Sequence, residues 1–153
     1  MGDLGDLSDV MVDGLDWANQ RSFRLVLHRV ELRMCRLTGA ELAEAVLTDV
    51  MFDGCKLDLV GLRFARLERV VFRDCRMGEC DFHTASLRDV LFERCDLRRA
   101  TFAASRIQRV EMQRCDLAAL DGVEALRTVR MPWNDVLANA PLFAAAVGIE
   151  IID

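Results

Sequence analysis

Six cysteines and two histidines carry most of the nucleophilic, redox and metal-binding chemistry open to this sequence. Zinc sites are commonly built on short pairs such as Cys-x-x-Cys, and none occurs here. Instead Cys35, Cys55, Cys75, Cys95 and Cys115 stand twenty residues apart, and Cys80 lies five beyond Cys75. Cysteines stacked at strand spacing with parallel side chains hold their sulfurs roughly 4.8 Å apart, too far for a disulfide of about 2 Å. Cysteine is also among the most often buried residue types. The expectation is a structural ladder rather than a metal or redox centre. No Gly-rich phosphate loop occurs. The early aspartates Asp3, Asp6, Asp9, Asp13 and Asp16 lack the spacing of a calcium loop. No catalytic, cofactor-binding or metal-binding residue is assigned, and no cofactor is expected.

The spacing of the cysteines belongs to a larger pattern. Every fifth residue from Leu27 to Leu117 is apolar, nineteen in all. Two residues before each, and once beyond, stands a second set of twenty, from Leu25 to Leu120, apolar except at Ser105. Of the 57 other positions in that window only 13 are apolar, so the two sets define an inside. A period of five fits no continuous element. On an α-helix it scatters residues around the axis, and along a flat strand it alternates faces. A chain that turns a corner every five residues resolves both conflicts, and four sides close a square coil of twenty. Val30, Val50, Val70, Val90 and Val110 recur on that longer period. So do Phe52, Phe72 and Phe92, flanked by Leu32 and Met112. Like stacks on like, as a solenoid core requires. His28 and His83 take outward positions on different sides, more than two coils apart, so neither completes a Ser-His-Asp or Cys-His site. The chain is therefore expected not to be an enzyme.

The motif Ala/Cys/Val-x-Leu/Phe-x-x, as in Cys95-Asp96-Leu97-Arg98-Arg99-Ala100-Thr101-Phe102, resembles the pentapeptide-repeat family, and it runs without a break over residues 25–120. The resemblance implies an all-β fold, a right-handed quadrilateral parallel β-helix. Residues 1–24 read as an irregular N-terminal coil, because Gln20 and Ser22 break the register. Residues 121–153 read as a C-terminal cap: a last strand over 126–131, a short helix capped by Asn134 or Asp135, and a helix over 141–147. Gly148 would stop that helix, and a terminal strand would follow over 149–152. The C-terminal segment is similar to that of several actinobacterial members of the family, and in a mycobacterial gyrase-protecting member this element forms the dimer contact. That similarity makes Leu137, Leu142, Phe143, Ile149 and Ile151 the candidate homodimer segment. The alternative is that they only plug their own coil.

Charge bears on partners. The net charge is −5, with 25 acids against 20 bases, and Lys56 is the only lysine. Residues 25–120 nearly balance, with 15 acids and 16 bases, whereas each end carries five acids and two arginines. Some relatives in this family mimic B-DNA and protect DNA gyrase from quinolones, so gyrase is one candidate partner. Such mimicry needs an acidic track along the shaft. Here the third side is mildly acidic at Glu41, Glu44 and Asp81, while the fourth leans basic at Arg66, Arg69, Arg88, Arg106 and Arg109. Acids interrupt that stripe, so direct nucleic-acid binding is not expected. On the first side Met51, Val71 and Leu91 stack outward, with Met34, Leu59 and Phe64 also outward; the row of three is the candidate protein-interaction strip. The leading expectation is a non-enzymatic binding module with an unidentified protein partner. No apolar run approaches the ~20 residues of a membrane span. Six cysteines and an acidic N-terminus without a basic leader point to a reducing, cytoplasmic setting.

Overall fold

The fold is set by its corners. In the computed structural model, which describes residues 5–153, every fifth residue from Asp9 to Ala119 has a φ between 52° and 74°. Only Gly14, Gly39 and Gly54 among these are glycine; twenty are not. A left-handed L-residue costs on the order of 1 kcal/mol, so the corners need support. They receive it from the next coil. The corner N–H groups of Met34, Glu44 and Leu59 donate to the carbonyls of Asp53, Arg63 and Gly78 at 2.8–2.9 Å. Between corners, two of the four sides are tight turns in which Ala40 N–H bonds Leu37 O and Ala45 N–H bonds Leu42 O. The other two sides form one bent strand.

Six such strands stack in parallel in chain order: β1 Leu7–Asp13, β2 Val26–Arg33, β3 Val46–Asp53, β4 Arg66–Arg73, β5 Ser86–Glu93 and β6 Arg106–Gln113. Each pairs with the next at a shift of twenty, as in Leu27↔Leu47 and Leu67↔Leu87. The result is a parallel quadrilateral β-helix of about five turns with a short helical C-terminal region. Its bore is filled by the two apolar sets. Phe52, Phe72 and Phe92 stack face to face at 4.9 and 5.0 Å between centroids, Phe82 and Phe102 at 4.8 Å. The two stacks meet edge to face, for example at 6.0 Å between Phe82 and Phe92. Offset and edge contacts of this kind add to area burial. Ser105, the one polar inward residue of the shaft, donates its hydroxyl to Phe102 O at 2.6 Å.

The first coil departs from expectation. Over the described residues it is a regular turn of the same solenoid; Asp3 lies outside them. β1 pairs with β2 along its length, Asp16 bridges Arg36, and Arg21 bridges Glu41. Trp17 is buried, and Ser22 takes an inward position despite its polarity. Inter-coil backbone bonds such as Trp17 N–H to Arg36 O hold the register where the side chains do not announce it.

The far end also differs in detail. The expected strand over 126–131 reduces to a single bridge, Glu111↔Arg130, preceded by a 3-10 helix at Val123–Leu126. Two helices follow, α1 Trp133–Ala138 and α2 Ala140–Ala146, with Pro141 in the first turn of α2 and Gly148 at φ 83° just past it. No strand forms over 149–152: Ile149 N–H closes back on Ala144 O, and the edge of β6 is already taken by Arg130. Neither Asn134 nor Asp135 caps α1, which starts after Pro132. Asp135 instead accepts the corner N–H of Arg114 at 2.6 Å. In every earlier coil that donor, as in Arg94 N–H to Gln113 O, meets the carbonyl of the coil above. At the other end Val26 N–H donates to the Asp6 carboxylate at 2.9 Å, where later coils use a backbone carbonyl, as Val46 does with Leu25. A carboxylate closes the ladder at each end.

The glycine at the exit of the last coil is under the tightest constraint. Gly122 has φ 74°, and a Cβ there would overlap the backbone of Ala103. Gly148 has φ 83° with open space around it. Gly122→Ala should therefore cost at least about 2 kcal/mol in urea unfolding, against about 1 kcal/mol for Gly148→Ala.

Candidate interaction surface

The β-strands leave one broad outer face, between the corner at Arg29, Asp49 and Arg69 and the next corner at Met34, Gly54 and Asp74. Met51, Val71 and Leu91 lie in register down its middle, each half-buried between its coil neighbours. Met11 and Glu31 continue the row below, Glu111 above. Asp9, Arg29, Asp49 and Arg69 line the same shallow groove as Met11, Met51 and Val71.

The corner column flanking this row alternates in sign, a feature that the sequence reading missed. Arg29 binds Asp9, Arg69 Nε reaches Asp49 at 2.7 Å, and Arg109 Nε reaches Asp89 at 2.6 Å. Arg94 bonds Asp74 at 2.7 Å on the opposite corner, and Arg73 bonds Glu93 at 2.9 Å. The signal was present as Asp-then-Arg at twenty-residue spacing. It is invisible when charges are summed by side. Hydrogen bonds from Arg29 and then Ser8 hold the Asp9 carboxyl down at about 2. Those from Arg69, Arg94 and Arg109 lower Asp49, Asp74 and Asp89 in the same way. Two arginines of the supposed basic stripe, Arg69 and Arg109, are thus each paired with an aspartate of the coil before.

The other singled-out residues fall in three groups. The cysteine column Cys35, Cys55, Cys75, Cys95 and Cys115 faces inward as free thiols, with Cys115 least covered. Each thiol points to a carbonyl of the preceding coil, such as Cys95 Sγ to Phe72 O at 3.2 Å. Burial pushes the Cys35 and Cys80 thiols up. In the C-terminal segment Leu142 and Phe143 pack on the core and cover the last coil, whereas Leu137, Ile149 and Ile151 are exposed. Trp133, Val147 and Ile152 are exposed beside them. The histidines remain separate. His28 lies 3.9 Å from Asp49, while His83 shares a 2.7 Å hydrogen bond with Thr84. Among the described residues no three His, Cys, Asp or Glu side chains group as metal ligands, and no helix is long and apolar enough to cross a membrane.

A square parallel solenoid with a filled bore and stacked outer ladders is the architecture of a five-residue repeat protein. The pentapeptide repeat region matches residues 25–102, half of the chain, and the chain belongs to the pentapeptide-repeat family. A pentapeptide-repeat protein of the Arabidopsis thaliana thylakoid lumen is similar in structure, with a TM-score of 0.62, 20% identity, and 65% of this chain and 69% of that one covered. HetL, involved in heterocyst differentiation regulation in the cyanobacterium Nostoc sp. strain PCC 7120, gives a TM-score of 0.53 at 19% identity, over 84% of this chain and 73% of its own. QnrB1, a plasmid-mediated fluoroquinolone resistance protein, covers 95% of this chain and 99% of its own at 15% identity, with a TM-score of 0.36. No curated protein sequence matches the chain.

The ion pairs set an acid limit. Carboxylates depressed in the folded state stabilise it above their unfolded value of about 4, and that contribution is lost as pH falls toward about 2. The urea midpoint should fall across this window, and Arg69→Gln with Arg109→Gln should flatten part of the fall. Alkylation offers a second check. Native protein should label fewer than one thiol per chain, against all six after denaturation.

Proposed function

We propose that the chain is a non-enzymatic binding module that offers its flat β-face to a protein partner. The observation that carries this reading is the in-register row Met51, Val71 and Leu91 on a rigid strand face, bordered by ion pairs. Apolar side chains on a surface that cannot rearrange form a pre-organised contact, with little ordering entropy left to lose on binding. The enclosed space in the solenoid is lined only by core side chains such as Leu27, Leu57 and Phe72, which suits a packed shaft rather than a substrate pocket. We further assign Leu137, Ile149 and Ile151 to a contact between two copies, with Leu142 and Phe143 as the plug beneath it. Six free thiols suit a reducing, cytoplasmic setting.

The gyrase-directed DNA mimic is less well supported. Mimicry asks for unpaired acids along the shaft, and here Asp49, Asp74 and Asp89 are each engaged by an arginine. Purified chain is therefore expected neither to inhibit gyrase supercoiling nor to relieve quinolone inhibition.

Met51→Ser, Val71→Ser and Leu91→Ser together should leave the circular dichroism of the fold intact, because all three point outward. They should reduce capture of the partner from host lysate at least about tenfold. Equal capture by the triple variant and the parent chain would remove this face as the binding surface.

A further inference from the structure

The flat face carries a second regularity. Its two charged columns alternate in sign, and they alternate in phase. β1 presents Asp9 and Asp13, β2 presents Arg29 and Arg33, and β3 presents Asp49 and Asp53. β4 follows with Arg69 and Arg73, β5 with Asp89 and Glu93, and β6 with Arg109. Pairing between coils explains alternation within a column. It does not require two columns on opposite sides of the apolar row to share a phase. Because they do, the net charge of the rows alternates, although Glu31, Asp74, Arg94 and Glu111 oppose the sign of their own rows. Counted from corner to corner, the six rows carry net −2, +1, −2, +1, −1 and +1.

This pattern repeats every two coils, roughly 9.6 Å at strand spacing. A partner that matches it must carry charge at the same spacing, and a second copy of this face does. Two ways of placing copy on copy have two-fold symmetry and keep rows over rows. With the solenoid axes parallel, each row meets its own equivalent, so like faces like in all six rows. With the axes antiparallel, β1 lies over the partner's β6, β2 over β5, and β3 over β4. Every one of those row pairs then has opposite net sign. The same placement sets Met51 against Val71 at the centre.

We infer that this face docks on a second copy of the chain in antiparallel orientation, with the charged rows selecting orientation and register and the apolar row supplying the contact. The inference rests on the reading of this face as a contact surface. Six rows at about 4.8 Å and a width of about five residues give roughly 400 Å² per copy, about half of a standard interface. The dimer is therefore weak, formed at about hundreds of micromolar, and charge contributes more to its specificity than to its strength.

The test is sedimentation in a Leu137→Ser, Ile149→Ser, Ile151→Ser background, which removes the C-terminal contact. A concentration-dependent dimer is expected at about 50 mM salt and should weaken several-fold at about 500 mM. Asp49→Arg with Asp53→Arg should abolish it, as should Arg69→Asp with Arg73→Asp. Mixing the two variants should restore a heterodimer, since each altered row then meets its complement; recovery also shows that both variants fold. For orientation, Met11→Cys mixed with Glu111→Cys should form an intermolecular disulfide, whereas Met11→Cys alone should not. A monomer up to about 1 mM, association indifferent to charge reversal, or cross-linking of Met11→Cys with itself would each overturn the inference. A monomer whose Met51, Val71 and Leu91 still govern capture of another protein would leave the binding-module reading standing and remove only the self-docking.

Discussion

Everything in this molecule depends on a backbone that enters the left-handed region once every five residues. Twenty of those corners are filled by side chains that ordinarily avoid it, including Phe64 and the β-branched Thr84. No corner is stable by itself. Along the shaft the corner N–H finds a carbonyl in the adjacent coil, as Phe64 does with His83 and Thr84 with Ala103, and at Arg114 the Asp135 carboxylate takes that place. The strain is local and the support is not. One isolated coil would have strained corners with nothing above them, which explains why stability in such a fold rises with stacked neighbours rather than with any single element.

The same dependence makes the two ends special. A solenoid that simply stopped would leave a row of backbone donors and acceptors open, and edges of that kind invite unwanted pairing. Asp6 in the first described coil and Asp135 after the last supply acceptor oxygens that backbone carbonyls supply in the coils between. Leu126, Leu142 and Phe143 cover the apolar cross-section at the C-terminal end. Backbone and core are therefore closed by different residues. Gly122 is the joint at which the chain leaves the square path to reach that cover.

The shaft was legible because its information is redundant: thirty-nine inward positions repeat one rule, and Ser105 alone breaks it. The first coil was misread because the rule used side-chain polarity. Gln20 and Ser22 violate that rule while their backbones keep the register. The second terminal helix was found from Pro141 and Gly148, which act locally. Asp135 was misassigned because its partner, Arg114, lies 21 residues away in sequence, beyond the reach of capping arguments. The ion pairs were missed for a related reason. Summing charges by side treats Arg69 and Asp49 as members of a total, but in the structure they are neighbours within one column.

The alternating rows give this molecule two different lengths of repeat. The backbone is indifferent to which coil it is in: a segment of twenty residues could be copied or lost, and the hydrogen bonds would join as before. The outer face is not indifferent, since its sign inverts from one coil to the next. Gaining a single coil would preserve the fold and put every later row out of step. Gaining two would preserve both. The heritable unit of the scaffold is thus one turn, and the unit of whatever the face recognises is a pair of turns, so changes of length that pass unnoticed in stability would divide into even and odd classes at the surface.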